Sequence, residues 1–151
     1  MSDEARRAAV AALIELAGSA NYRDRADAGR SLASFAEVPE AGRTLLGLVL
    51  DAGDTFVTRV TAEALLRRHD AVGLAVVAAA LAAADHNHAD WIHTAVLDVF
   101  TVFARDRDAA LRECEVLTRG ADEQARCGGH RLIDMLTEIN PILYPPQEEQ
   151  A

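Results

Sequence analysis

The chain contains no lysine. All 15 basic residues are arginine, set against 24 acidic ones, for a formal net charge of −9. So little positive charge speaks against nucleic acid as a ligand, because phosphate binding draws on clustered Lys and Arg. The same sign favours a basic protein partner, although net negative charge also serves solubility alone. With the high alanine content, exclusive use of arginine reads as GC-rich codon usage in preference to selection for bidentate pairing. Aromatic residues are scarce, at 5%, and Trp91 is the sole tryptophan. The apolar half of the chain is therefore Ala, Leu and Val, and small side chains of high helix propensity suit closely packed helices. Cysteine is limited to Cys114 and Cys127, with no C-x-x-C spacing. Both have helical flanks, so two buried or half-buried thiols are expected, and no disulfide. The start, Met1-Ser2-Asp3-Glu4, lacks a basic stretch leading into an apolar one, so no signal peptide is expected. The longest uncharged run, Ala71 to Ala84, falls short of the roughly 20 residues of a membrane span. A cytoplasmic, reduced location without a membrane partner follows as the expectation.

What is present is helical periodicity. Val10, Leu13, Ile14 and Ala17 repeat at i, i+3, i+4, i+7, which predicts a first helix over about Asp3 to Gly18. A second is expected from Tyr22 to Glu37, with Ala28, Leu32 and Phe35 inward. A third starts at Pro39, a favoured first-turn residue. The fourth spans about Thr55 to His69, and Asp70 caps a fifth, the Ala/Val run. After a polar connection at Asp85 to His88, Asp90 is expected to cap a sixth helix over about Ala89 to Ala104, with Ile92, Val96, Val99 and Phe103 inward. The seventh covers about Arg107 to Arg119. The eighth covers about Asp122 to Ile139, with an irregularity at Gly128-Gly129. Asn140-Pro141 stops it, leaving one domain over residues 1–140 and a frayed tail over 141–151.

Four segments share a register: Arg30-Ser31-Leu32-Ala33, Glu63-Ala64-Leu65-Leu66, Thr94-Ala95-Val96-Leu97 and His130-Arg131-Leu132-Ile133. Leu32 and Leu65 are 33 residues apart, and Leu65 and Val96 are 31 apart. Periods of this size mark stacked helical hairpins, and short connections force neighbouring helices antiparallel. A compact helical bundle is the competing architecture. The string Val57-Thr58-Arg59-Val60-Thr61-Ala62-Glu63-Ala64-Leu65, after a Leu-rich helix and a short turn at Ala36 to Ala41, resembles a HEAT-like repeat; the likeness is best over about residues 22–104. It departs at Ala26 and Asp90, where the neighbouring units lack a counterpart of Arg59. The resemblance implies an all-α fold, a short right-handed α-solenoid of about eight helices in antiparallel hairpins (HEAT-like or ARM-type), with a general role in protein–protein binding. Some members of that family are enzymes or enzyme subunits, including DNA glycosylases and bilin lyase subunits.

Candidate chemistry is sparse. His86, His88 and His93 stand near Asp85 and Asp90, but zinc needs three or four ligands at fixed spacing, and this spacing matches no known set. Glu113/Glu115 and Glu148/Glu149 read as solvated pairs, because neighbours two apart on a helix do not face each other. No phosphate loop or nucleophile elbow is present. No catalytic residue, cofactor or metal is expected. In a solenoid, the second helices of the hairpins line the concave face. Their outward positions are Glu40, Arg43, Thr44, Gly47 and Asp51, then Val72, Gly73, Val76 and Ala80, then Arg112, Glu113, Val116 and Arg119. These form the expected partner-binding strip of a non-catalytic module, monomer or homodimer. A small acidic inhibitor or immunity-type protein fits that description. The alternatives are a glycosylase-like enzyme or lyase subunit, which calls for a basic groove, and a self-associating subunit with the uncharged helix as its seam.

Overall fold

Short polar side chains start six of the helices. Ser2, Asn21, Asp54, Asp70, Asp85 and Asp122 each accept a hydrogen bond from a main-chain N–H in the following turn. Such caps satisfy donors that a helix start leaves open. A computed structural model describes residues 1–146. Among them lie α1 (Asp3–Ala17), α2 (Tyr22–Leu32), α3 (Pro39–Val49), α4 (Thr55–Leu66), α5 (Ala71–Ala83), α6 (His86–Phe100), α7 (Ala104–Leu117) and α8 (Glu123–Glu138), with a 3-10 turn at Ala33–Phe35. The described residues form no strand beyond an isolated bridge between Phe103 and Leu143. The chain is all-α. Among the described residues, no helix is long and apolar enough to cross a membrane.

Several boundaries differ from the sequence reading. The second helix ends at Leu32 and gives way to the 3-10 turn. The cap of α6 is Asp85, not Asp90, so the polar stretch His86–His88 is the first helical turn and not a connection. The helix then ends at Phe100, and Phe103, expected inward, is the 52% exposed N-cap of α7. Pro141 to Leu143 are not frayed: Ile142 and Leu143 donate to the Thr101 and Val102 carbonyls, and Ala104 donates to Leu143. The remainder of the expected tail, with Glu148 and Glu149, lies outside the described residues.

One row of contacts runs α2–α4–α6, and a second runs α3–α5–α7. The sequence register puts α8 on the first row. The structure instead packs it chiefly on α5, then on α7, with little contact to α6. The reason is steric. A side chain at Gly128 would collide with the main-chain carbonyl of Ala78 in α5. Without one, the two backbones meet, and α8 runs unbroken through Gly128-Gly129. On another side of α5, Gly73 presses against the Leu65 carbonyl of α4 in the same way. The uncharged composition of α5 follows, since it touches α3, α4, α6, α7 and α8. Phe100, Leu32, Leu45, Leu65, Leu66 and Leu81 are among the bulkiest fully buried side chains of the core.

Candidate partner-binding surface

The residues of the expected strip differ in exposure along its length. On α3, Glu40, Arg43 and Gly47 are exposed and Thr44 is half-buried. On α7 and just beyond it, Arg112, Val116 and Arg119 are exposed and Glu113 is half-buried. Between them, Gly73 and Ala80 are buried, which removes both from any accessible surface. Val72 and Val76 are half-buried and pack on the core. The correction has a plain cause: α5 has no polar side, so its sequence could not show which positions its neighbours cover.

Asp51 has another task. Its carboxylate takes a two-point contact from Arg25, Nε to Oδ1 at 2.9 Å and Nη2 to Oδ2 at 3.0 Å. It also accepts from the main-chain N–H groups of Gly53 and Asp54. Burial pushes this carboxyl up, but Arg25 and the Asp54 N–H outweigh burial and hold it below the usual carboxylate range. Arg25 in turn donates to the Ser19 and Ala20 carbonyls. The Asp51 carbonyl meets the ring of His88, whose other nitrogen faces Asp85. One polar chain thus joins the α1–α2, α3–α4 and α5–α6 turns.

Arg25 is one of five arginines with this kind of bond among the described residues. Arg68 donates to Ala33 at the end of α2, and Arg131 donates to Leu81 near the end of α5. Arg126 donates to Gly120 and Ala121 after α7, and Arg107 to Ile139 at the end of α8. Helix ends leave carbonyls open, and a guanidinium can reach two acceptors at once. Residue counting could not reveal this, because the Arg68, Arg107 and Arg131 partners lie far along the chain. Arg67 is paired with Glu63, and Arg68 with Glu37 and Asp70. Arg6 also pairs with Glu37, linking α1 to the same edge.

The histidines do not gather. His86 is exposed, while His88 and His93 are half-buried. No three His, Cys, Asp or Glu side chains among the described residues could together hold a metal ion. Trp91 is half-buried. Cys114 is buried, and burial pushes its thiol up to about 12. Cys127 is exposed, contrary to expectation. Residues missed by the sequence reading stand at the α7 end: Val102, Phe103, Ile142, Leu143 and Tyr144 are all large, apolar or aromatic, and exposed. The run Ile142-Leu143-Tyr144 after a helix-stopping proline was the available signal.

No family model matches the chain, and no curated protein or solved structure matches it either.

Proposed function

We propose that the chain is a non-catalytic protein-binding module, a short HEAT-like solenoid of helical hairpins whose partner is a basic protein. A role as a small acidic inhibitor, of the immunity type, accords with this reading. The disposition of charge is the observation that carries it. Nine arginines are held in ion pairs or on main-chain carbonyls of the protein itself. Glu40 and Glu113, at opposite ends of the strip, have no ion-pair partner among the described residues. Glu40 and Glu113 are left open to a partner's cations, and complementary charge sets association rate and partner choice. The α3–α5–α7 row supplies the frame, with Arg43, Gly47, Arg112, Val116 and Arg119 beside the two glutamates.

The test is capture from the source cell with the wild-type chain and with charge reversals Glu40→Arg and Glu113→Arg. A basic protein retained in stoichiometric amount by the wild type, weakened by added salt and lost in the double variant, is the expected result. Equal retention by both forms, or recovery of nucleic acid in place of protein, overturns the reading.

A further inference from the structure

Two surface features meet at Asp106. The first is a small cleft of about 90 Å³ between the α4–α5 turn and α7. Leu74, Phe100 and Ala110 line it and are buried, while His69, Asp106 and Glu113 are the more accessible lining residues. Asp106, Ala110 and Glu113 fall at i, i+4 and i+7 on α7, so one face of that helix forms a wall. His69 sits at φ 53°, a left-handed conformation that histidine tolerates better than most residues, and packs edge-on against Phe100 at 5.9 Å between ring centroids. Neither carboxylate has a hydrogen-bond or ion-pair partner among the described residues. The second feature is an open groove of about 540 Å³ that shares Asp106 and is lined by Phe103, Leu143, Tyr144 and Pro145, with Arg105 also beside it. Phe103, Leu143 and Tyr144 are 52%, 51% and 59% exposed. The groove wall is held in place by the hydrogen bonds between the Thr101–Ala104 turn and Ile142–Leu143.

We propose that this end of the molecule docks a segment of the basic partner protein in which an arginine or lysine stands next to large apolar side chains. The cation's head meets Asp106 and Glu113 at the mouth of the cleft, and its methylene stem lies beside His69 and Ala109. The apolar neighbours lie along Phe103, Leu143 and Tyr144. Charge complementarity selects this occupant. Two carboxylates without partners, beside an exposed apolar groove, match a cationic side chain with apolar neighbours that packs its stem and keeps its charge at the rim. Exposed apolar patches of this kind mark contact surfaces. Arg105 fixes the direction: the segment's cation must lie on the Asp106 side, away from it.

The inference rests on the reading of the chain as a binder of a basic protein, and its test is separable from that reading. The probe is a short amidated peptide carrying an arginine beside two leucines, titrated into the isotope-labelled full chain and followed by NMR. Amide shifts should concentrate at His69, Asp106, Glu113, Leu143 and Tyr144. Asp106→Asn with Glu113→Gln should weaken binding about tenfold, as should replacing the peptide arginine by glutamate. Phe103→Ser should weaken it too while leaving the melting temperature intact, because serine at an N-cap supports the helix start. Equal binding of the glutamate peptide, an unaffected carboxylate variant, or the absence of shifts at these residues overturns the proposal. Shifts confined to Glu40, Arg43 and Gly47 overturn it while leaving a protein-binding module in place. Sedimentation showing a dimer that Phe103→Ser dissolves also overturns it, in favour of a second copy as occupant. If the cellular capture fails but the peptide docks here, the basic-partner reading fails alone.

Discussion

The Nε2 atom of His88 lies 2.7 Å from the main-chain oxygen of Asp51, and its Nδ1 lies 2.8 Å from Asp85 Oδ1. Both partners are acceptors, so only the doubly protonated ring satisfies both. The bond to the Asp51 carbonyl raises the histidine pKa most; burial opposes the rise, and the Asp85 carboxylate adds to it. A folded value above the unfolded one means that this clasp contributes fully below about pH 6.5, and its contribution is lost as pH climbs through the folded value. Denaturant unfolding of the wild type and His88→Gln should therefore give a stability gap at about pH 6 that narrows by about pH 9. A gap independent of pH would exclude the imidazolium.

Gly128 and Gly129 are neighbours with opposite expectations. A methyl at Gly128 meets the Ala78 backbone, which cannot yield without moving α5 or α8. Gly128→Ala should cost about 2–3 kcal/mol, the scale of overpacking in a filled core. A methyl at Gly129 meets Thr118 Cγ2 at 3.4 Å, an ordinary contact. Gly129→Ala should be neutral or gain up to about 1 kcal/mol from helix propensity. Thermal melts of the two variants decide whether the α5–α8 crossing is as close as described.

The hydroxyls of Thr58 and Thr61 are buried in α4 without a hydrogen-bond partner. Valine has the same shape and no polar atom to desolvate. Thr58→Val should raise stability by about 1 kcal/mol in urea unfolding. A lower midpoint would mean that the hydroxyl has a partner in solution.

The two thiols should react at very different rates. Exposed Cys127 should be modified rapidly by an aromatic disulfide reagent in the native protein, and Cys114 only on unfolding, since its thiolate is suppressed and its sulfur is covered. Modification of both in native protein would show that α7 opens.

Local signals made the helices legible. Pro39 and Asp70 mark the starts of α3 and α5 in sequence and in structure alike. Where two residues of the same chemistry competed, as Asp85 and Asp90 did for the α6 cap, spacing could not choose between them. The end of α2 depends on the Ala33 carbonyl receiving Arg68, a residue 35 positions later. The place of α8 depends on the surface that α5 offers to Gly128. The exposed positions of α3 and α7 were readable because both helices carry polar residues at helical spacing. Those of α5 were not, because that helix looks the same from every direction. The surface around Phe103 was hidden by assigning that residue to the buried side of α6.

The bridge between the α6–α7 turn and Ile142–Leu143 also bears on the order in which the protein can be completed. Phe103 offers α7 no side-chain cap, and the N–H of Ala104 is instead met by the Leu143 carbonyl at 2.8 Å. That carbonyl belongs to a residue that follows all of α8. During synthesis, α7 therefore emerges with its opening N–H open to water, and the main-chain contact to it waits for the segment beyond Pro141. The contact that secures the start of the seventh helix is a late one, although the helix's own residues are made well before those that secure it.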